Sequence, residues 1–287
     1  MGLFSIFKSS KRVYFPGCTT YFKHKEYFDL YLRILSRLGI EYKISQKKIC
    51  CGLPALELGY DSEARKIARR NFEIFKEDNI GEIITSDPAC YKMFSLDYPY
   101  LLPDWNISTV NIWKIILDRL EEKPGLIKNK FSEKVCFQDS CYLSRYLGIV
   151  SEPRKILGLL GYNLIEMTDS KERSICSGNC GQLPFTNPEL ADLIAKERIL
   201  QAKRIGVQKI ITVSISDYEI LKRNSNGIEV VDISEVLGEC LGIKKNNSSS
   251  EKLESKDNFE QITSDELTDE EELCDLNKNK FNEENSI

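Results

Sequence analysis

Five side chains in the first third of the chain carry the chemistry of a soft-metal pocket: Cys18, the adjacent Cys50 and Cys51, Asp87 and Cys90. The residues from Thr19 to Ile49 separate Cys18 from the pair, Gly52 follows it, and the stretch from Gly52 to Ser86 leads to Asp87-x-x-Cys90. Thiolate sulfur is a soft donor that stabilises iron bound to sulfide, and an iron–sulfur cluster draws about four such ligands from the protein. Four thiolates can also hold zinc tetrahedrally. Adjacent cysteines count against zinc, because structural zinc takes its ligands from CxxC knuckles and neighbouring residues seldom both reach one small ion. The open readings of this pocket, in order, are an iron–sulfur cluster, zinc and no metal. Imidazole ligation has almost no source here: the single histidine, His24, lies in the charged stretch FKHKEY and reads as a surface residue.

These residues must be positioned by an α/β framework. Short β-rich runs (RVYF, EYKI, EIIT, STV) alternate with helical patterns over Glu26–Leu38, Ser62–Lys76 and Ile112–Leu120. The potential ligands fall at or just beyond strand ends, where open α/β sheets place their sites. The order repeats after about residue 130, with KVCF, a helix starting near Pro153, NLIEM, a helix over Pro188–Arg204, KIIT, IEVV and a helix over Ser234–Leu241. LSRLGIEYKI resembles LGLLGYNLIEM, and ARRNFEIFKEDNIGEIIT resembles AKERILQAKRIGVQKIIT. The pattern predicts a duplication of two α/β units, residues 1–125 and 132–243, joined by the linker-like EEKPGLIKNKFS. Residues 244–287, with few aromatics and no sustained period, read as a disordered acidic tail.

The first pattern resembles the CCG-domain family of iron–sulfur proteins, whose motif is a cysteine, a gap of about thirty residues, CysCysGly, a similar gap, and CxxC. That family includes the B and D subunits of heterodisulfide reductase and the iron–sulfur subunits of glycolate, lactate and glycerol-3-phosphate oxidoreductases. Four of five thiol positions match, together with Pro16-Gly17 and Leu53-Pro54. Asp87 stands where the family has the first cysteine of CxxC. The resemblance implies a four-iron cluster, cubane or opened, and leaves Asp87 as a ligand or a near neighbour of it.

The second half is similar to the family too, but its motif is eroded. Gln138-Asp139-Ser140-Cys141 stands for a sequence close to HDPC, and SEPRKIL matches a PRxxL segment. Cys176-Ser177-Gly178 replaces CCG, and Ser214-Ile215-Ser216-Asp217 replaces CxxC. Cys141 and Cys176 survive, joined by Cys180; a modified cluster, a zinc ion or nothing are the open readings of these three. Cys136 and Cys240, in apolar patterns, read as core residues.

The remaining features bound the setting. Hydrophobic residues make up 41% and charged residues 29% of 287, as expected for a globular protein with a real core. The tail carries 13 acidic and 6 basic residues, a net −7; since the whole chain is −4, residues 1–243 stand at +3, which gives no case for nucleic-acid binding. No apolar run is long enough for a bilayer span and the N-terminus lacks a signal-peptide pattern, so the expected compartment is the cytoplasm, where ten cysteines stay reduced. Membrane contact is expected only through a partner or weakly through Leu3, Phe4, Ile6 and Phe7. With neither a CxxCxxCxxxCP run nor a GxGxxG fingerprint, the chain is expected to work with other subunits of a redox complex, a flavoprotein or a ferredoxin-like carrier, in electron transfer or disulfide reduction. The alternative is a non-enzymatic metal-binding scaffold or redox-sensing interaction protein.

Overall fold

Parallel strands at Lys11–Phe15 (β1), Lys43–Ile44 (β2), Ile80–Thr85 (β3) and Ser108–Asn111 (β4) form a sheet in the order β2-β1-β3-β4. This is a computed structural model, and it describes residues 11–45 and 50–243. A second parallel sheet repeats the order: Asn163–Leu164 (β6), Lys134–Gln138 (β5), Lys209–Thr212 (β7), Glu229–Asp232 (β8). In each sheet the order reverses between the first and third strands, which opens a crevice at their carboxyl ends. Val13, Tyr14 and Phe15 are buried in succession, as are Ile83, Ile84 and Thr85, because parallel strands covered on both faces have no solvent side.

The helices of the first half are Lys25–Arg37 (α1), Leu53–Glu57 (α2), Asp61–Glu77 (α3), Pro88–Lys92 (α4), Tyr98–Leu101 (α5) and Ile112–Glu122 (α6). Those of the second are Ser151–Leu159 (α7), Leu183–Thr186 (α8), Pro188–Arg204 (α9), Ile215–Arg223 (α10) and Ile233–Cys240 (α11). Helix α3 shows why such segments form: Ala64, Ala68, Phe72 and Phe75 make one buried stripe, with Asp61 and Glu63 in the first turn and Lys76 in the last complementing the helix dipole.

The expected alternation and duplication are present. EYKI and NLIEM shrink to two-residue edge strands, each paired on one side only. Not foreseen were α2, α4, α5, α8 and α10, nor the π-helical turns at Thr19–Lys23 and Tyr142–Tyr146; most are too short to show a 3.6-residue period.

The two sheets share one core, in which Tyr14, Ile34, Ile84 and Trp113 pack with Phe137, Ile156, Ile211 and Leu237. Helices α1 and α11 meet at Gly238, where a Cβ would come within 2.9 Å of Leu30 Cδ1. The connecting EEKPGLIKNKFS is held to this core by Leu126, Ile127 and Phe131, and Lys128 N donates to Cys240 O at 2.7 Å. Cys136 and Cys240 are wholly buried, as their patterns predict. The tail expected at 244–287 and the apolar N-terminus lie outside the described residues.

Candidate metal centre

Cys18 follows β1 and opens the π-helical turn; Asp87 and Cys90 follow β3 at the start of α4. Both loops rise from the sheet's switch point. The third contribution comes from Cys50 and Cys51, fixed just before α2 by a polar clasp. Asn71 Nδ2 donates to Cys50 O and to the Tyr98 hydroxyl, both at 2.7 Å, and that hydroxyl donates to Cys51 O at 3.0 Å. Gly52 N points at Cys50 Sγ at 3.4 Å. Within the pocket the Cys90 thiol meets Cys51 Sγ at 3.4 Å, both side chains buried.

Asp87 is the N-cap of α4: Oδ1 accepts from Cys90 N at 2.9 Å, and Asp87 N donates to Thr85 Oγ1 at 3.1 Å. Its side chain lies over Gly17, where a Cβ would come within 2.7 Å of Asp87 Cβ and where φ is +85°, a conformation that favours glycine. Pro16-Gly17 thus leaves room for the carboxylate. Burial raises the Asp87 carboxyl above its ordinary value against the amide hydrogen bond from Cys90. The Cys51 hydrogen bond lowers the Cys90 thiol, but burial and the nearby charges of Asp87, Cys18 and Cys50 outweigh it and leave it raised. Cys51 is raised as well: the Cys50 bond opposes, while the Cys90 bond and burial prevail.

The second half reproduces this local structure in its backbone and changes it in its side chains. Ser214 caps α10, its Oγ accepting from Asp217 N at 3.4 Å, and Ser214 N donates to Thr212 Oγ1 at 3.1 Å. Gly178 N points at Cys176 Sγ at 3.3 Å, as Gly52 N points at Cys50. Ser177 and Asp217 therefore occupy the places of Cys51 and Cys90, and the Ser177 hydroxyl donates to Asp217 Oδ1 at 2.6 Å. Burial pushes the Asp217 carboxyl up to about 7; the Ser177 bond lowers it, while the charges of Cys176 and Asp87 raise it further.

The three thiols of the second half converge. Cys141, Cys176 and Cys180 have sulfur atoms all within 4.8 Å of one another, and among the described residues no three of Cys18, Cys50, Cys51, Asp87 and Cys90 do so. Arg145 Nη2 donates to Cys141 Sγ at 2.7 Å. Hydrogen bonding to Cys176 and burial push Cys141 up to about 12, although the Cys180 bond opposes. The thiols of Cys141 and Cys180 together hold Cys176 below its ordinary value.

Residues that the motif comparison leaves without a role hold this second loop in place. Asp139, almost fully buried, takes Nη1 and Nη2 of Arg154 at 2.7 and 2.8 Å, so the PRxxL-like segment anchors the loop carrying Cys141. Gln138 Nε2 donates to Ile175 O at 3.2 Å, just before Cys176, and Gln138 Oε1 accepts from the wholly buried Arg198 at 2.5 Å. Runs of polar residues in apolar strand contexts are the sequence signal for such a network.

Each site packs against the other half. Helix α4, which carries Cys90, packs on the turn Tyr142–Tyr146 that follows Cys141, and α10 packs on the turn Thr19–Lys23 that follows Cys18. Glu57 joins the halves, accepting from Tyr142 Oη and Gln182 Nε2, both at 2.7 Å. His24 is also part of this seam rather than plain surface: its side chain is 18% exposed, and Nε2 lies 2.8 Å from Glu219 Oε1 on α10. The charged neighbours in its sequence conceal the aromatic cluster with Tyr27 and Tyr218 that shelters it.

This chain is similar to several known proteins. It is 26% identical over 245 residues to the D subunit of dihydromethanophenazine:CoB–CoM heterodisulfide reductase from Methanosarcina barkeri, covering 80% of this chain and 59% of that protein. It is 28% identical over 229 residues to lactate utilization protein A of an Exiguobacterium species, covering 75% and 90%. Over 219 residues it is 24% identical to the probable iron–sulfur-binding oxidoreductase FadF of Bacillus subtilis, covering 74% and 31%. The chain thus spans less than two thirds of the length of the reductase protein it matches. A solved putative Asp/Glu racemase from Yersinia pestis superposes with a TM-score of 0.36 at 11% identity, over 80% of this chain and 97% of its own. The cysteine-rich domain named CCG matches residues 12–95 and again 135–216, together more than half of the chain. With one copy centred on each switch point, the chain belongs to the CCG cysteine-rich domain family.

Proposed function

We propose that this chain is the iron–sulfur subunit of a larger redox complex, with Cys18, Cys50, Cys51 and Cys90 as thiolate ligands of a four-iron cluster and Asp87 beside them. The observation that carries this reading is the set of four thiols at one switch point, Cys90 on Cys51 at 3.4 Å with Cys18 and Cys50 in electrostatic reach of Cys90. Four soft donors spread over three loops suit a multi-iron group better than one ion. Such a cluster, when bound, supplies one-electron chemistry. The protein's part is to present and shield it. The Asn71–Tyr98 clasp fixes the paired cysteines, α4 fixes Cys90, and the turn Tyr142–Tyr146 of the other half packs on α4. Because Cys51 and Cys90 are held protonated in the protein alone, loading the site releases their protons. Asp87 serves by capping α4 and so aiming Cys90.

The names of the relatives, a heterodisulfide reductase subunit and a probable iron–sulfur-binding oxidoreductase, support a role in electron transfer or disulfide reduction alongside partner subunits; a flavoprotein or a ferredoxin-like carrier as that partner, and a cytoplasmic setting, are part of the same proposal. No helix among the described residues is long and apolar enough to cross a membrane. The test is iron, zinc and acid-labile sulfide per chain after anaerobic purification, with EPR of the oxidised and reduced forms. Iron with matching sulfide and a redox-dependent signal, both lost in Cys51→Ala, is the expected result; a preparation without sulfide ends the reading. A scaffold or redox-sensing role is the second reading, favoured by the exchange of a thiol pair for Ser177 and Asp217 in the second half. A cluster whose EPR signal does not change with reduction would support the scaffold.

A further inference from the structure

We infer that the second half is a metal site of a different kind, in which Cys141, Cys176 and Cys180 bind a single divalent ion of the zinc class and leave its fourth position open. Three features carry this. First, the three sulfur atoms lie within 4.8 Å of one another. Thiolates on one tetrahedral ion with metal–sulfur bonds of about 2.3 Å stand ~3.8 Å apart, whereas the cysteines of a cubane each bind a different iron and stand farther apart. Small adjustments of three side chains therefore close the trio on one ion. Second, no fourth His, Cys, Asp or Glu atom joins the group among the described residues. Three protein ligands with an open position are the pattern of a reactive zinc site, not of a closed structural one. Third, three thiolates around a divalent ion sum to a net charge of −1, and the Arg145 guanidinium already donates to Cys141 Sγ at 2.7 Å, where it would balance that charge.

Cys180 is the residue that makes this site, since the motif match supplies only Cys141 and Cys176. It opens the short turn Cys180–Gln182, in which Gly181 (φ +66°) and Gln182 (φ +56°) take left-handed conformations, and its sulfur lies within 4.8 Å of those of Cys141 and Cys176. The thiol lost at Ser177 is thus replaced by one three residues on. Binding would displace the thiol protons and involve no electron transfer. The open position would accept water or a thiolate from a substrate or partner.

The full chain, purified anaerobically and treated with a weak chelator, is expected to keep about one zinc per chain in addition to its iron and sulfide. Cys180→Ser should lose that zinc with iron and sulfide unchanged; Cys51→Ala should lose iron and sulfide and keep the zinc. The pair of variants separates failure here from failure of the cluster at the first site. Zinc unaltered by Cys180→Ser, or iron and sulfide lost together with it, overturns the inference. Should Cys180→Ser fail to fold, X-ray absorption at the zinc edge of the unaltered protein decides. Three sulfurs at ~2.3 Å and one lighter atom are expected; four sulfurs, or a shell of nitrogen and oxygen alone, overturn it.

Discussion

The Ser177 hydroxyl donates to Asp217 Oδ1 at 2.6 Å in the place where, in the other half, the Cys90 thiol meets Cys51. Both positions differ from the motif, and the pair that stands there is complementary. A buried carboxyl facing a buried thiol would have lacked a strong donor; facing a hydroxyl it has one. The second half thus satisfies the buried polar groups that stand in the places of the thiols.

Removing one member of that pair tests this. Ser177→Ala leaves Asp217 buried without its donor and should destabilise the protein by about 1–3 kcal/mol. The double variant Ser177→Cys with Asp217→Cys restores the thiol pair and should bind additional iron and sulfide that neither single variant binds. Denaturant unfolding and metal analysis read the two outcomes.

Asp87 caps α4 as Ser214 caps α10. Asp87→Ser should accordingly keep iron loading and stability within about 0.5 kcal/mol, while Asp87→Ala should cost about 1 kcal/mol. An altered EPR spectrum in Asp87→Ser would assign the carboxylate to the metal itself.

Arg154 is 12% exposed and holds the nearly buried Asp139 in a two-pronged ion pair. Arg154→Met leaves that carboxylate without its cation and should destabilise the chain by about 3–5 kcal/mol. Because Asp139 leads into Cys141, the same variant should also increase labelling of Cys141 by a thiol reagent in the native state, read by mass spectrometry.

Asp232 caps α11 from full burial, accepts from the Tyr31 hydroxyl at 3.0 Å, and is pushed by burial up to about 6. A carboxyl whose folded value is raised stabilises the fold fully below its unfolded value of about 4 and loses that contribution as pH rises through about 6. The loss is on the order of 3 kcal/mol. Asp232→Asn, which keeps a capping side chain without the charge, should remove this pH dependence from the unfolding free energy measured between pH 4 and 8.

The alternation of strands and helices was legible because burial on both faces makes β1, β3, β5 and β7 apolar and amphipathicity marks α1, α3 and α6. The placement of Cys18 and Cys90 was legible for a topological reason: residues that follow strands on either side of a switch point must meet. The short helices α2, α4 and α8 and the π-helical turns were not, since four or five residues carry no periodicity and the caps decide where they begin.

By itself, then, the sequence determined the duplication, the register of the thiols in the first half, and which motif positions in the second half had changed. Only the tertiary structure decided what those changes amount to. Ser177 and Asp217 are 40 positions apart and pair because parallel strand order brings the ends of two loops together. Cys180 joins Cys141 and Cys176 only through a turn whose direction no spacing states. Likewise His24 becomes part of a seam because the other half supplies Glu219 and Tyr218. Spacing along a chain fixes which residues each loop can offer; the packing of one half on the other fixes which of them meet.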